Sequence, residues 1–160
     1  ILEDGTIALT EINPRAAHSY HYNYEYSFGT SLYGDNLELA THGKKLPGKT
    51  PWEMWLDDET KCYTLIALIT STVTGDLNDI IDYDYVHHLE QDEGVLIRHT
   101  RHEGENLTDA DMTAAGAMVM QMWLTGETQH DVIAREREIR SKIYRIAPEG
   151  LEYPEYWVAE

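Results

Sequence analysis

Polar and apolar positions alternate most clearly between His18 and Phe28. Tyr20, Tyr22, Tyr24, Tyr26 and Phe28 fall on one side, and His21, Asn23, Glu25 and Ser27 on the other. That period of two is the pattern of a half-buried strand. Thr6 to Ile12 is a second run of this kind, closed by Asn13-Pro14, where proline cannot continue a ladder. Gly29-Thr30-Ser31 turns the chain into a third run, Leu32 to Thr41, broken at Gly34-Asp35. The spacing therefore predicts a tyrosine-rich antiparallel meander over residues 1–48. Its ladder of Tyr20, Tyr22, Tyr24 and Tyr26 suits an interaction surface, because each ring covers apolar area while its hydroxyl stays wet. An aromatic platform for bases or sugars is the sharper alternative, and the acidic surroundings argue against a polyanion on it.

From Thr50 the period lengthens towards 3.6, and residues 49–147 read as a helical region. Thr50-Pro51-Trp52-Glu53 combines a cap hydroxyl, proline at the first helical position and a glutamate three residues after the cap. A stripe of Trp52, Trp55, Leu56, Cys62, Tyr63, Ile66, Ile69 and Val73 follows, closed by Gly75. Asp76 caps a second helix carrying Leu77, Ile80, Ile81, His88 and Leu89, which ends near Gly94. Val95-Leu96-Ile97 is a short strand or edge contact. Thr108, with Asp111 three residues on, opens a helix apolar on nearly every side from Met112 to Trp123, with Gly126 as its left-handed end. Leu56, Asp58, Thr74 and Gly75 recur as Leu107, Asp109, Thr125 and Gly126 at one constant offset, which suggests two αα-hairpins, each with a Thr-Gly joint. The expected fold class is thus α+β, an N-terminal antiparallel meander packed on two αα-hairpins in a four-helix arrangement. An extended tail at 148–160 completes one compact unit.

The stretch 127–146 has two readings. Thr128-Gln129-His130-Asp131-Val132 followed by Arg140-Ser141-Lys142-Ile143-Tyr144-Arg145-Ile146 resembles the helix-turn-helix of phage and resolvase-type DNA-binding proteins. The resemblance implies Arg140, Lys142, Tyr144 and Arg145 as DNA contacts. It departs from the family pattern at Arg137, where a turn glycine is usual, and at Ile133, where a small residue is. In the preferred reading Val132, Ile139, Ile143 and Ile146 form one stripe of an uninterrupted helix, with Glu136 out of character. Arg135, Arg137 and Arg140 then become solvated charges, pairing at helical spacing with Asp131, Glu136 and Glu138.

Charge narrows the partners. With 29 acidic and 12 basic residues the chain carries a formal −17. Nucleic acid could be engaged only through the cluster at 135–145, and a basic protein partner, DNA mimicry, high salt or mere solubility accounts for the remainder. Cys62 is the single cysteine, so there is no internal disulfide framework. The longest apolar run, near Tyr63 to Thr70, is too short to span a bilayer. With no leader-like opening, the expectation is no membrane partner and a host-cell cytoplasmic or virion location.

Candidate chemistry is sparse. His88, His99, His102 and Glu103 form the one His-rich set that zinc or iron would suit, but the central asparagine of His-Asn-His nucleases is missing. Glu127-x-x-His130 and Asp84-x-x-His87 are similar to the Glu-x-x-His motifs of di-iron bundles, yet they sit at different depths in their helices. Gly48-Lys49-Thr50, with Gly43 five residues earlier, meets the spacing of a phosphate-binding loop. Pro51 and the lack of a preceding parallel strand speak against that loop. No nucleophile has a recognisable partner. The functional expectation is a non-enzymatic acidic interaction or assembly protein without a cofactor: an accessory subunit, a virus-encoded modulator or a virion component. A helix-turn-helix regulator and a His/Glu metal enzyme are the alternatives.

Overall fold

The computed structural model describes residues 20–44, 47–57, 59–113 and 117–146. The expected strand at Thr6–Ile12 and the tail at 148–160 lie outside them. The described chain is mixed α+β. Helices α1 (His21–Phe28), α2 (Leu32–His42) and α3 (Pro51–Leu56) come first, followed by β1 (Tyr63–Thr70), β2 (Gly75–Asp76), α4 (Leu77–Ile80) and α5 (Tyr83–Gln91). After these come β3 (Leu96–His99), β4 (Asn106–Leu107), β5 (Met118–Gly126) and α6 (Gln129–Ile143). The antiparallel sheet has the order β1-β5-β3, and β2 and β4 form a separate two-stranded ladder.

β5 is the centre of the fold. Every residue from Val119 to Leu124 is buried, so the strand is covered on both faces, and Gln121 is its one polar side chain in that stretch. A continuous apolar run fits a buried helix and a buried strand equally well, and here strand pairing prevails. Ala67 lies opposite Met122, Ile69 opposite Met120, and Ile97 opposite Met122 on the other flank. The register shifts between Ile69 and Thr70, which pair with Met120 and Met118. Val119 is the extra residue of this bulge, and it too packs in the main core.

One face of the sheet meets Val132, Ile139 and Ile143 of α6, together with Leu77 and Ile80 of α4 and Val86 and Leu89 of α5. α6 begins at a capping box, in which Thr128 N–H and Oγ1 donate to Asp131 Oδ2 at 2.9 and 2.7 Å. It then runs without a break through Arg137, so no turn divides it, but it ends at Ile143: Tyr144 is extended and bridges to Ile81, and Ile146, expected on the buried stripe, is 50 % exposed. Glu136 is 1 % exposed and accepts from buried Arg140 Nε at 2.5 Å, while Arg140 Nη2 donates to Leu68 O at 3.2 Å. The residue out of character is therefore half of a buried ion pair against β1, and Arg140, expected as a solvated charge, is its other half.

The opposite face meets α1, which corrects the tyrosine ladder. Residues 21–28 are helical and closed by Gly29, whose φ of 67° lies in the left-handed region and whose N–H donates to Glu25 O. The buried side chains are polar ones, His21 and Ser27, with Asn23 half-buried beside them. Asn23 Nδ2 donates to Thr64 Oγ1 at 2.9 Å, and Ser27 Oγ lies 3.2 Å from the same hydroxyl. An alternation of tyrosine with short polar residues looks like a strand with its rings inward. It folds as a helix whose short polar side lies close on β1, with the rings around its flanks. Leu32 to Thr41 is likewise α2 and not a third strand; Ser31 Oγ accepts from Gly34 N–H as its cap.

Two further expectations change. The helix that starts correctly at Thr50, where the Thr50 N–H and Oγ1 donate to Glu53 Oε2 at 2.7 Å each, ends at Leu56. Of the rest of its predicted stripe Tyr63, Ile66 and Ile69 belong to β1, with Cys62 and Val73 just outside it. Thr108 and Asp111 do bond to each other, at 2.9 and 2.7 Å, but they close a single 3-10 turn at Asp109–Asp111. The supposed repeat fails with them, since Gly75 opens a two-residue strand while Gly126 ends a nine-residue one. Among the described residues no αα-hairpin pair assembles into a four-helix arrangement. Asp76 as a helix cap and the strand near Val95–Ile97 stand as expected, with the helix after Asp76 interrupted at Ile81.

Candidate interaction surfaces

The three N-terminal helices leave apolar side chains in water. Nine large apolar residues are exposed among the described ones. Seven of these lie on or at the ends of α1–α3: Tyr20, Tyr26, Tyr33, Leu37, Leu39, Trp55 and Leu56. α2 buries none of its eleven residues, and Leu37 and Leu39 on it are 64 % and 58 % exposed. Single exposed leucines are ordinary, but α2 is held only by half-buried residues and by Tyr33, whose ring lies 4.7 Å from that of His21, which is less packing than normally stabilises a helix. Of the predicted ladder, Tyr22 turns half inward, its ring 5.0 Å from that of Trp123 and edge-on at 71°. Tyr24 lies along the helix towards Phe28, the two rings tilted at 51° with centroids 6.2 Å apart. Tyr20 and Tyr26 remain outward.

A second surface is the groove of about 480 Å³ between α5 and α6. Along α6 its wall alternates in sign: Asp131, Arg135, Glu138 and Lys142. α5 and the turn after it supply Tyr85, His88 and Glu93. The Tyr85 and His88 rings stack at 6.4 Å, and Lys142 Nζ stands 5.8 Å above the centre of the Tyr85 ring. Lys142 also donates to Glu138 Oε1 at 2.6 Å, and Arg135 Nη2 to Glu93 Oε2 at 3.1 Å. Burial pushes the Tyr85 phenol up, partly opposed by the Lys142 charge.

The residues of the DNA-binding reading are placed as follows. Arg140 is buried in its pair with Glu136. Tyr144 donates its hydroxyl inward to Thr70 O at 2.9 Å, and Arg145 lies 3.4 and 3.5 Å from Asp82 and Asp84. Only Lys142, beside Tyr85, combines exposure with a groove.

The His-rich set is spread over separate pairs. His88 Nδ1 lies 2.6 Å from Asp92 and its Nε2 3.3 Å from Glu93, while His99 Nε2 is 3.1 Å from Glu90. Glu103 stands 3.5 Å from His87, and His102 is exposed. Among the described residues no group of three or more His, Cys, Asp or Glu side chains is arranged to hold a metal ion. The phosphate-loop spacing at 43–50 follows a helix, and Lys49 there is 2.7 Å from Asp57 and 2.5 Å from Glu59. Those two carboxylates hold its ammonium well above the usual lysine range. Cys62 donates its thiol to Tyr26 O at 3.3 Å, and burial raises its pKa.

No family model, curated protein or solved structure significantly matches this chain. Among the described residues no helix is long and apolar enough to cross a membrane.

The groove was not visible in the sequence. Tyr85 and Lys142 are 57 positions apart, and only the return of α6 beside α5 brings them together. The alternation Asp131, Arg135, Glu138, Lys142 was the available signal, a charged stripe at helical spacing next to the apolar one.

Proposed function

We propose that the chain is a non-enzymatic docking protein, an accessory or assembly subunit that binds a protein partner through its N-terminal helices. The observation that carries this reading is α2, an eleven-residue helix with no fully buried side chain that presents Leu37 and Leu39 to water. Apolar side chains held out on a well-capped helix gain their stabilisation when a partner removes them from water, at about 25 cal/mol per Å² of apolar area. The formal charge of −17 adds long-range attraction to basic partners and repulsion between copies.

The test is differential capture. Tagged wild-type protein and a Leu37→Asp/Leu39→Asp variant are used to retrieve partners under identical conditions, and their melting temperatures are compared. Because both leucines are exposed, the variant keeps its fold while the specific partners disappear. Retrieval of the same proteins by both forms contradicts the reading.

A further inference from the structure

Tyr85 already holds a cation. The Lys142 ammonium sits 5.8 Å from its ring centre, steadied by Glu138 at 2.6 Å, and the groove around it has about 480 Å³ of open space. The site is therefore shaped for a positive group over an aromatic face backed by a carboxylate. The occupant is an exposed lysine whose pairing with an exposed glutamate contributes little. A guanidinium is planar, less strongly hydrated and stacks better on such a ring. We infer that the α5–α6 groove seats an arginine-bearing segment of a protein partner, one guanidinium replacing Lys142 over Tyr85. This rests on the docking reading above and adds a second contact to it.

The length of the groove favours a segment of chain over a free small cation. From Asp131 to Lys142 the helix advances eleven residues, or about 16 Å at the helical rise. Along that path Asp131, Arg135, Glu138 and Lys142 alternate in sign. The segment thus meets a carboxylate at each end of the path, Asp131 and Glu138, with Glu138 freed for the guanidinium when Lys142 gives way. Glu93 is held by Arg135 at 3.1 Å and by His88 at 3.3 Å, which fixes the α5 wall. The −17 of the whole chain steers such a segment in.

The probe is a fluorescein-labelled octa-arginine peptide, followed by fluorescence anisotropy at low and at physiological salt. Any acidic protein attracts this peptide, so the variants decide. Lys142→Ala vacates the ring and tightens binding about threefold to tenfold. Arg137→Ala removes the same charge from an exposed position outside the groove and changes binding by less than about twofold. Tyr85→Leu weakens binding about fivefold or more, while Tyr85→Phe, which keeps the aromatic face, restores it. Glu138→Gln, a surface change that leaves the fold intact, also weakens it. Equal effects of Lys142→Ala and Arg137→Ala overturn the proposal, as does wild-type affinity in Tyr85→Leu and Glu138→Gln. So does absence of binding at low salt. If Leu37→Asp/Leu39→Asp abolishes partner capture but leaves peptide affinity unchanged, the two surfaces act separately. If the groove variants alone fail, the docking reading through α2 survives.

Discussion

Replacing Arg140 by leucine is the most informative single change in the fold. Arg140 and Glu136 are 7 % and 1 % exposed, and the guanidinium also donates to Leu68 O. Glu136 Oε2 has no hydrogen-bond partner, so its other oxygen depends on Arg140 Nε. Arg140→Leu leaves a buried carboxylate without its cation and the Leu68 carbonyl without a donor. Breaking a buried pair from one side costs about 3–5 kcal/mol, which lowers Tm by roughly 10 °C in a chain of this size. The double variant Glu136→Leu/Arg140→Leu removes both desolvated charges and restores most of that loss, because well-packed apolar replacements of buried pairs are often neutral or better. Urea unfolding of the four members of this cycle, followed by circular dichroism and by tryptophan fluorescence, measures the coupling. A loss below about 1 kcal/mol for Arg140→Leu, or additive single and double variants, refutes the burial of this pair beneath α6.

Other expectations follow from equally local features. Tyr83 is buried, its hydroxyl has no hydrogen-bond partner, and burial with nearby Glu103 and Glu105 pushes its pKa up to about 12. Its contribution is therefore complete below the ordinary tyrosine pKa near 10 and is lost as pH rises towards 12. Across that window stability falls by roughly 2–3 kcal/mol, and alkaline unfolding of Tyr83→Phe shows a correspondingly flatter curve. Asp111 is held below the usual carboxylate range by the Thr108 backbone and hydroxyl and by Arg101; Glu105 is held there by the His102 backbone and Arg101. Their stabilisation persists above the ordinary carboxylate pKa and is lost as pH falls through the lowered values. Arg101→Met therefore shifts the acid-unfolding midpoint upward. A Cβ at Gly126 would stand 2.8 Å from Val132 N and 3.2 Å from Thr128 O. Both are backbone atoms at the α6 cap, so Gly126→Ala costs about 1–3 kcal/mol in a thermal melt.

The sequence was legible where local chemistry decides. Thr50-Pro51-Trp52-Glu53 and Asp76 start helices because a cap acts within one turn. α6 is a single helix because Val132, Glu136, Ile139 and Ile143 recur at helical spacing, with Arg140 pairing the one charge among them. It was misread where tertiary context decides. Met118 to Gly126 is mostly apolar without a clear polar side, and only pairing with β1 and β3 makes it a strand. Tyr20 to Phe28 alternates like a strand, yet Asn23 and Ser27 find Thr64 from one side of a helix. Of the candidate contacts, Arg140 proved structural because Glu136 awaits it four residues earlier. Exposure of Leu37 and Leu39 was invisible, since a leucine in sequence reads as core.

The most direct test of the docking account is hydrogen exchange on the chain alone and with its captured partner. The account predicts new protection across Leu32–His42 and the neighbouring α1 and α3, with β5 unchanged because it is already buried. Partner-bound protein in which α2 exchanges as fast as in the free chain contradicts it.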